Sequence, residues 1–378
     1  MLKWIRKNPV VTGVGTLAIA GLVVTAATSG GFSPTSSYSG CGYGYGYDST
    51  TYAFGYGTCP TPSPSPTPSP SPTSPASGYH LVAADGGVFN FGHAGFYGNT
   101  YTLGLTGLTG SRPLNSPIVG VAENPNGKGY WMVGADGGVF NFGSAGFYGS
   151  TYTRGLTGLT GSHPLGSPVV GIAPTPDGKG YWLVTKAGFV YGFGDAKFYG
   201  DTFSYGLTGL AGSHPLNAPI VGIAAAPSGT GYWLVAADGG VFNFGSAGFH
   251  GTTYTLGLTG LTGSHPLSDP IVGIAPTESG DGYWLVAADG GVFNFGNAGF
   301  DGSTYSLGLT GLTGSHPLNA PIVGIVPTAN SGGYWMVAKD GGVFNFGNAG
   351  FDGSTYSLGL TGLTGSHPLN APIVGLAD

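Results

Sequence analysis

Charged side chains are scarce in this chain and of uneven kind. They make up only 7% of the 378 residues, and glutamate occurs just twice, as Glu123 and Glu278. Long helices usually use Glu, Lys and Ala on their exposed faces, so this shortage disfavours a helical protein. Three of the ten basic residues lie in the first seven positions, and acidic residues outnumber basic ones in the remainder. The chain therefore has no basic stripe to neutralise phosphates, and we expect no nucleic-acid partner.

Glycine and proline are abundant instead. The 77 glycines and 28 prolines would suggest disorder on their own, but 41% of the residues are hydrophobic and 13% are aromatic. Many short strands joined by many tight turns reconcile the two observations. The composition therefore predicts an all-β protein.

The first 28 residues have the pattern of an export signal. A basic start is followed by an apolar run over residues 10–27 and then by small residues. A run of 18 is also just long enough to span a bilayer, so a cleaved signal peptide and a retained membrane anchor both remain open. In either case the basic end stays in the cytoplasm, which predicts an extracellular location and membrane contact only through the N-terminus.

The composition of residues 29–77 predicts a tether. Cys41 and Cys59, the only cysteines, bracket a Tyr/Gly-rich stretch within residues 29–59, and in an exported chain they predict a disulfide. Lipidation of Cys41 is the alternative. Residues 60–77 alternate proline with serine or threonine, which predicts a disordered polyproline II stalk on the order of 50 Å long.

From residue 78 onward the chain repeats with a constant step of 51 residues. A fixed period predicts equivalent structural units, here six in number. A Gly-Tyr pair opens each of them at Gly78, Gly129, Gly180, Gly231, Gly282 and Gly333.

The fifth unit shows the strands that we expect. An apolar strand covers residues 283–288, and Asp289-Gly290 predicts a two-residue type I′ turn into a second strand at 292–295. A weaker strand is expected near residues 300–306, and an apolar one at 321–326. Three or four strands in about 50 residues is the size of a propeller blade.

The ends of the repeat region favour a closed ring. The first unit lacks its own Ile-Val-Gly strand, and an additional one ends the chain at residues 372–377. We therefore expect a six-bladed β-propeller over residues 78–378, closed by the C-terminal strand, which would leave no open sheet edge. An open solenoid, which would need polar caps at its ends, is the alternative.

The motifs GYWLVAADGGVFNFG, AGFYG and NAPIVGI together resemble a repeat of secreted and cell-surface proteins of actinobacteria and related bacteria. That resemblance covers residues 78–378 and implies export and propeller blades, sometimes joined to hydrolase domains. It implies no particular activity. The loop following AGFYG looks longer here than in most such repeats.

Several repeated residues are candidates for chemistry. The Asp of each Asp-Gly-Gly is interpreted as a turn residue, and the tryptophans that follow the opening tyrosine are interpreted as core. Repeated loops rich in hydroxyl groups provide a candidate binding surface, and loop packing is the alternative role for their basic residues. The tentative ligand-binding residues are Arg112, His163, His214, His265, His316 and His367.

No nucleophile–base–acid set and no close carboxylate pair is apparent, so no enzymatic activity, metal or cofactor is expected. The sequence instead predicts a non-catalytic binding or adhesion scaffold for a glycan, a cell-wall polymer or a surface protein. A structural, self-associating surface protein is the first alternative. A polysaccharide hydrolase or lyase on a propeller is the second.

Overall fold

The computed structural model describes residues 78–378 and two short strands, β1 (Ala18–Ile19) and β2 (Leu22–Val23), which pair with each other. The predicted Cys41–Cys59 disulfide and the proline stalk lie outside the described residues, as does most of the predicted signal or anchor. Among the described residues, no helix is long and apolar enough to cross a membrane.

Residues 78–378 form six three-stranded antiparallel sheets and contain no α-helix. This part of the chain is therefore all-β with a sixfold repeat, as the composition and the 51-residue period predict. In chain order the strands are β3 (Gly78–Ala83), β4 (Val88–Gly92), β5 (Ile118–Glu123), β6 (Gly129–Gly134), β7 (Val139–Gly143), β8 (Val169–Pro174), β9 (Gly180–Thr185), β10 (Val190–Gly194), β11 (Ile220–Ala225), β12 (Gly231–Ala236), β13 (Val241–Gly245), β14 (Ile271–Pro276), β15 (Gly282–Ala287), β16 (Val292–Gly296), β17 (Ile322–Pro327), β18 (Gly333–Ala338), β19 (Val343–Gly347) and β20 (Ile373–Ala377).

The prediction of a weaker strand near residues 300–306 is wrong. Residues 297–303 form no regular element, and a 3₁₀ turn follows at Thr304–Leu307. The Ser303 N–H donates to Ser306 Oγ (2.9 Å), and Gly308 ends the turn in the left-handed region at φ 83°. These local bonds satisfy the backbone without a neighbouring strand. Equivalent turns lie at Thr100–Leu103, Thr151–Arg154, Thr202–Tyr205, Thr253–Leu256 and Thr355–Leu358.

The hairpin after the middle strand also differs from the expected type I′ turn. The Gly290 N–H donates to the Ala287 carbonyl (2.9 Å), so the turn begins one residue earlier. Only Gly290 (φ 81°) is left-handed, and Asp289 is not. One left-handed glycine after the turn is the three-residue form of a hairpin loop, which frees Asp289 from a strained conformation.

The core lies between successive sheets. Every residue of the middle strands β6, β9, β12, β15 and β18 is buried. Trp284 Nε1 donates to the Gly299 carbonyl (2.6 Å), and its ring lies 5.6 Å from that of Tyr334 in the next sheet. The interpretation of the tryptophans as core is confirmed, because large aromatic rings wedged between sheets remove the most apolar surface from water.

Sheet contacts follow a cyclic order. The first strand of each sheet contacts the first strand of the next, from β5 through β8, β11, β14 and β17 to β20, and β20 in turn contacts β5. As predicted, β20 completes the sheet of β3 and β4. Tyr232 donates its hydroxyl to Gly200, 32 residues earlier, at 2.5 Å. Tyr79 makes the same 2.5 Å bond to Gly353 in the sixth repeat, so the first and last repeats meet as neighbours do elsewhere.

Candidate ligand-binding face

Three elements of each repeat meet at one end of its sheet. In the fifth repeat the Thr304 N–H donates to Gly290 of the hairpin turn (3.4 Å), and the Ala288 N–H donates to the Pro270 carbonyl (2.9 Å) of the preceding long loop. We call this end of the sheets the loop face: it consists of the hairpin turns, the 3₁₀ turns and the long loops. Residues on such loops are held by the rigid sheets below, which suits recognition.

The predicted histidines and Arg112 are all exposed on this face. Within its loop the His316 N–H donates to Thr310 Oγ1, the His316 carbonyl accepts from the Thr310 N–H, and the ring Nδ1 lies 3.1 Å from Ser315 Oγ. Buried Leu318 anchors the same loop. The backbone is thus fixed while the imidazole remains open to solvent.

Each of these six side chains stays within its own repeat. No hydrogen bond or ring contact joins any two of them, and no group of three or more His, Cys, Asp or Glu within residues 78–378 is arranged to hold a metal ion. They form a dispersed series of single basic or imidazole groups, which can contact an extended ligand at separate points.

In five of the six repeats, a tyrosine and an aspartate form a hydrogen-bonded pair beside the long loop. Tyr305 donates its hydroxyl to Asp289 Oδ2 (2.7 Å), and the Gly291 N–H donates to Oδ1 (2.9 Å). The second bond confirms the aspartate as a turn residue. The carboxylate is buried, whereas 43% of Tyr305 is exposed. The other pairs are Asp85–Tyr101, Asp136–Tyr152, Asp238–Tyr254 and Asp340–Tyr356.

An asparagine from the preceding long loop joins the pair. Burial and the Asp136 carboxylate raise the pKa of Tyr152 to about 12, while a hydrogen bond from the Asn115 side chain opposes the rise. Asn217 has the same relation to Tyr254, and Asn319 to Tyr356. The tyrosine hydroxyl therefore stays protonated and donates to the carboxylate, with the asparagine side chain nearby.

The third repeat lacks this arrangement. Ala187 replaces the aspartate, Phe203 replaces the tyrosine, and Gly166 replaces the asparagine. Phe203 stacks on Phe189 with ring centroids 3.9 Å apart. Our sequence reasoning missed the tyrosine, although it follows the aspartate by 16 residues in five repeats and changes together with it in the third.

A cleft of about 340 Å³ opens where the first sheet meets the sixth repeat. This volume lies at the lower end of the range for small-molecule sites. Asp85, Tyr101 and Asn99 form one side of the cleft, and the loop carrying His367 forms the other. The remaining lining residues are Ala83, Gly87, Val88, Phe89, Leu360, Pro368, Leu369, Asn370 and Ala371.

A second series of exposed side chains lies between the last strand of each sheet and its 3₁₀ turn. One phenylalanine per repeat is between 45% and 58% exposed, an unusual state for so large an apolar group. The members are Phe96, Phe147, Phe198, Phe249, Phe300 and Phe351.

One buried polar pair breaks the sixfold symmetry. His80 takes the place of the tryptophan in the first repeat, and its Nε2 lies 3.6 Å from Glu123 Oε2 on β5. Burial lowers the pKa of His80 to about 4, and burial together with the charge of Asp378 raises the pKa of Glu123 to about 7. His80 Nδ1 and Glu123 Oε2 have no hydrogen-bond partner. This pair lies at the opposite end of the strands from the hairpin turns.

Neither a protein-family model nor a curated protein matches this chain. Its function is inferred from the chemistry of the loop face, where half-exposed aromatic rings, hydroxyl and amide groups recur with few charges. Groups of this kind can hold a ligand through many weak contacts.

Proposed function

We propose that residues 78–378 are a six-bladed β-propeller closed by β20, and that it is an exported, surface-displayed and non-catalytic scaffold that binds an extracellular glycan or cell-wall polymer. The cyclic order of sheet contacts and the Tyr79–Gly353 hydrogen bond support the propeller. The N-terminal apolar run, the proline stalk and the resemblance to repeats of secreted bacterial proteins support export and display.

The observation that carries the proposed binding function is repetition on the loop face. Half-exposed tyrosines held by buried aspartates recur beside exposed histidines at a constant chain interval. A polymer of identical units can occupy several such positions at once. Linked weak contacts then raise the overall affinity by about 10²–10⁴ without any single strong site.

Electrostatics favour an uncharged polymer. The long loops carry a single arginine, Arg112, and no lysine beside the five histidines. The aspartates on this face accept hydrogen bonds from their own turns and tyrosines. A neutral glycan needs hydroxyl, amide and aromatic contacts rather than charge pairs, and these are the groups that the face offers.

The test is co-sedimentation of the full-length chain with insoluble cell-wall polysaccharide and with a panel of neutral glycans. We expect retention, and we expect it to fall at least tenfold when Arg112 and the five loop histidines are all replaced by alanine. The melting temperature should hardly change, because these side chains are exposed. If none of the polymers retained the chain, the proposed binding function would be refuted. Release of new reducing ends from a polymer would refute the proposal that the scaffold is non-catalytic.

Self-association is a second candidate, favoured by the exposed phenylalanine series. Six apolar rings at a regular interval can pair copies of the chain into an assembly. Sedimentation velocity of the full-length chain over a hundredfold concentration range would show larger species that disappear when the six phenylalanines become serine. Monomers at every concentration would exclude this candidate.

A further inference from the structure

We infer that the sugar-binding subsites are the clefts in which an aspartate and tyrosine of one repeat face an asparagine of the preceding loop, and that the chain has four of them. This inference rests on the proposed glycan-binding function and makes it more specific. The first is the cleft beside Asp85, and the other three are the equivalent positions at Asp136, Asp238 and Asp340.

The chain supplies its own comparison. If aspartate and tyrosine served the turn alone, loss of one group in the third repeat would need no change in the preceding loop. Ala187, Phe203 and Gly166 instead replace all three polar members, although Gly166 lies 21 residues before Ala187. All three polar groups are thus lost together in the third repeat, as expected if they serve one shared site.

The cleft between the first and sixth repeats shows what such a site can hold. Asp85 Oδ1 accepts from Gly87 (3.0 Å) and Oδ2 accepts from Tyr101 (2.8 Å), which leaves each carboxylate oxygen with capacity for a further donor. Asn370 of the preceding loop lines the same cleft and is the equivalent of Asn115, Asn217 and Asn319. Asn99, whose Oδ1 caps the 3₁₀ turn, has an amide nitrogen that can also donate. Phe89, Leu360 and Pro368 form an apolar wall.

This combination fits an uncharged pyranose unit. A sugar ring offers hydroxyl groups that both donate and accept at its edge, and C–H groups that pack on an apolar wall at its face. The carboxylate of Asp85 is the only formal charge in the lining, so it repels uronates, sulfated sugars and phosphates. The inferred ligand is therefore a neutral hexose unit within the polymer.

The fifth cleft differs in a way that explains its exclusion. Ser268 and Asp269 replace the asparagine and the small residue after it, while Asp289 and Tyr305 are retained. Burial and the charge of Asp289 raise the pKa of Asp269, so a second carboxylate faces the first. This cleft lacks the amide donor and carries additional negative charge.

The experiment counts sites by calorimetric titration of the full-length chain with four neutral probes: maltotetraose, cellotetraose, laminaritetraose and mannotetraose. At least one should bind with four equivalents per chain, and tetragalacturonate should not bind. Asp85→Asn, which keeps the size of the side chain and the turn acceptor, should lower the stoichiometry to three without changing the remaining affinities.

A second variant is designed to gain a binding site, because a misfolded protein could lose binding but would not gain it. Ala187→Asp, Phe203→Tyr, Gly166→Asn and Phe189→Gly together should build a fifth site in the third repeat. Binding with a stoichiometry that neither variant changes would overturn the subsites but leave the polymer function standing. Retention on a polymer without binding of any tetrasaccharide would also overturn the subsites and leave the polymer-binding function standing. If no polymer retained the chain in co-sedimentation, the subsites and the polymer-binding function would both be refuted.

Discussion

The hydroxyl of Tyr79 provides a direct test of ring closure. It donates to the Gly353 carbonyl (2.5 Å) and accepts from the N–H groups of Gly353 (3.1 Å) and Asp352 (3.3 Å), all within a buried contact between the first and sixth repeats. Tyr79→Phe removes one oxygen and leaves the ring in place. The buried backbone groups then lose their partner, which costs about 1–3 kcal/mol of unfolding free energy.

The matched control is Tyr232→Phe, which removes the same bond to Gly200 between consecutive repeats. In a closed ring the two substitutions should destabilise the full-length chain equally in urea unfolding followed by tryptophan fluorescence. In an open array the first repeat would have no preceding neighbour. If Tyr79→Phe left the urea midpoint at the wild-type value while Tyr232→Phe lowered it, closure of the ring would therefore be refuted.

Two further predictions concern stability. In urea unfolding, the Glu123→Gln variant should lose up to roughly 3 kcal/mol of stability relative to the wild type as the pH falls from 7 to 4.5. The pKa of Glu123 rises from 4.5 in the unfolded chain to about 7 in the folded one. Glu123 therefore stabilises the folded wild type most below pH 4.5, where it is protonated, and least above pH 7. A pH-independent difference would contradict the burial of that carboxyl. Gly290→Ala places a methyl group 2.2 Å from Thr304 Oγ1 in a left-handed backbone and should lower stability by more than about 1–2 kcal/mol, whereas Gly299→Ala meets no atom within 4 Å and should change it by under about 0.5 kcal/mol. Equal effects of the two alanines would refute the turn geometry.

The strands were predictable because their signals are local. The apolar run at Gly282–Ala287 and the glycines after it define a hairpin whatever surrounds them, although the exact turn depended on where Ala287 and Gly290 bond. The stretch near residue 300 was not predictable in this way. Its aromatic residues are typical of a strand, but Ser303 and Ser306 bond each other locally and form a 3₁₀ turn instead.

The candidate site was predictable only in part. The histidines were conspicuous as a series, and they are exposed on the loops as a binding role requires, but the structure does not bring them together. The role of Tyr305 was not predicted, because Tyr305 contacts Asp289 only when the 3₁₀ turn packs against the hairpin. A contact 16 residues apart depends on that folding rather than on any local preference.

The sequence by itself determined the repeat number, the all-β class and the strand that the first unit lacks, because a 51-residue period and apolar runs act through local backbone preferences. Only the tertiary structure decided which side chains became partners. Tyr79 reaches Gly353, the tyrosines reach the turn aspartates, and His80 is buried against Glu123 without a full set of hydrogen bonds. Each of these contacts joins groups from separate elements, so it exists only after the sheets have packed against one another.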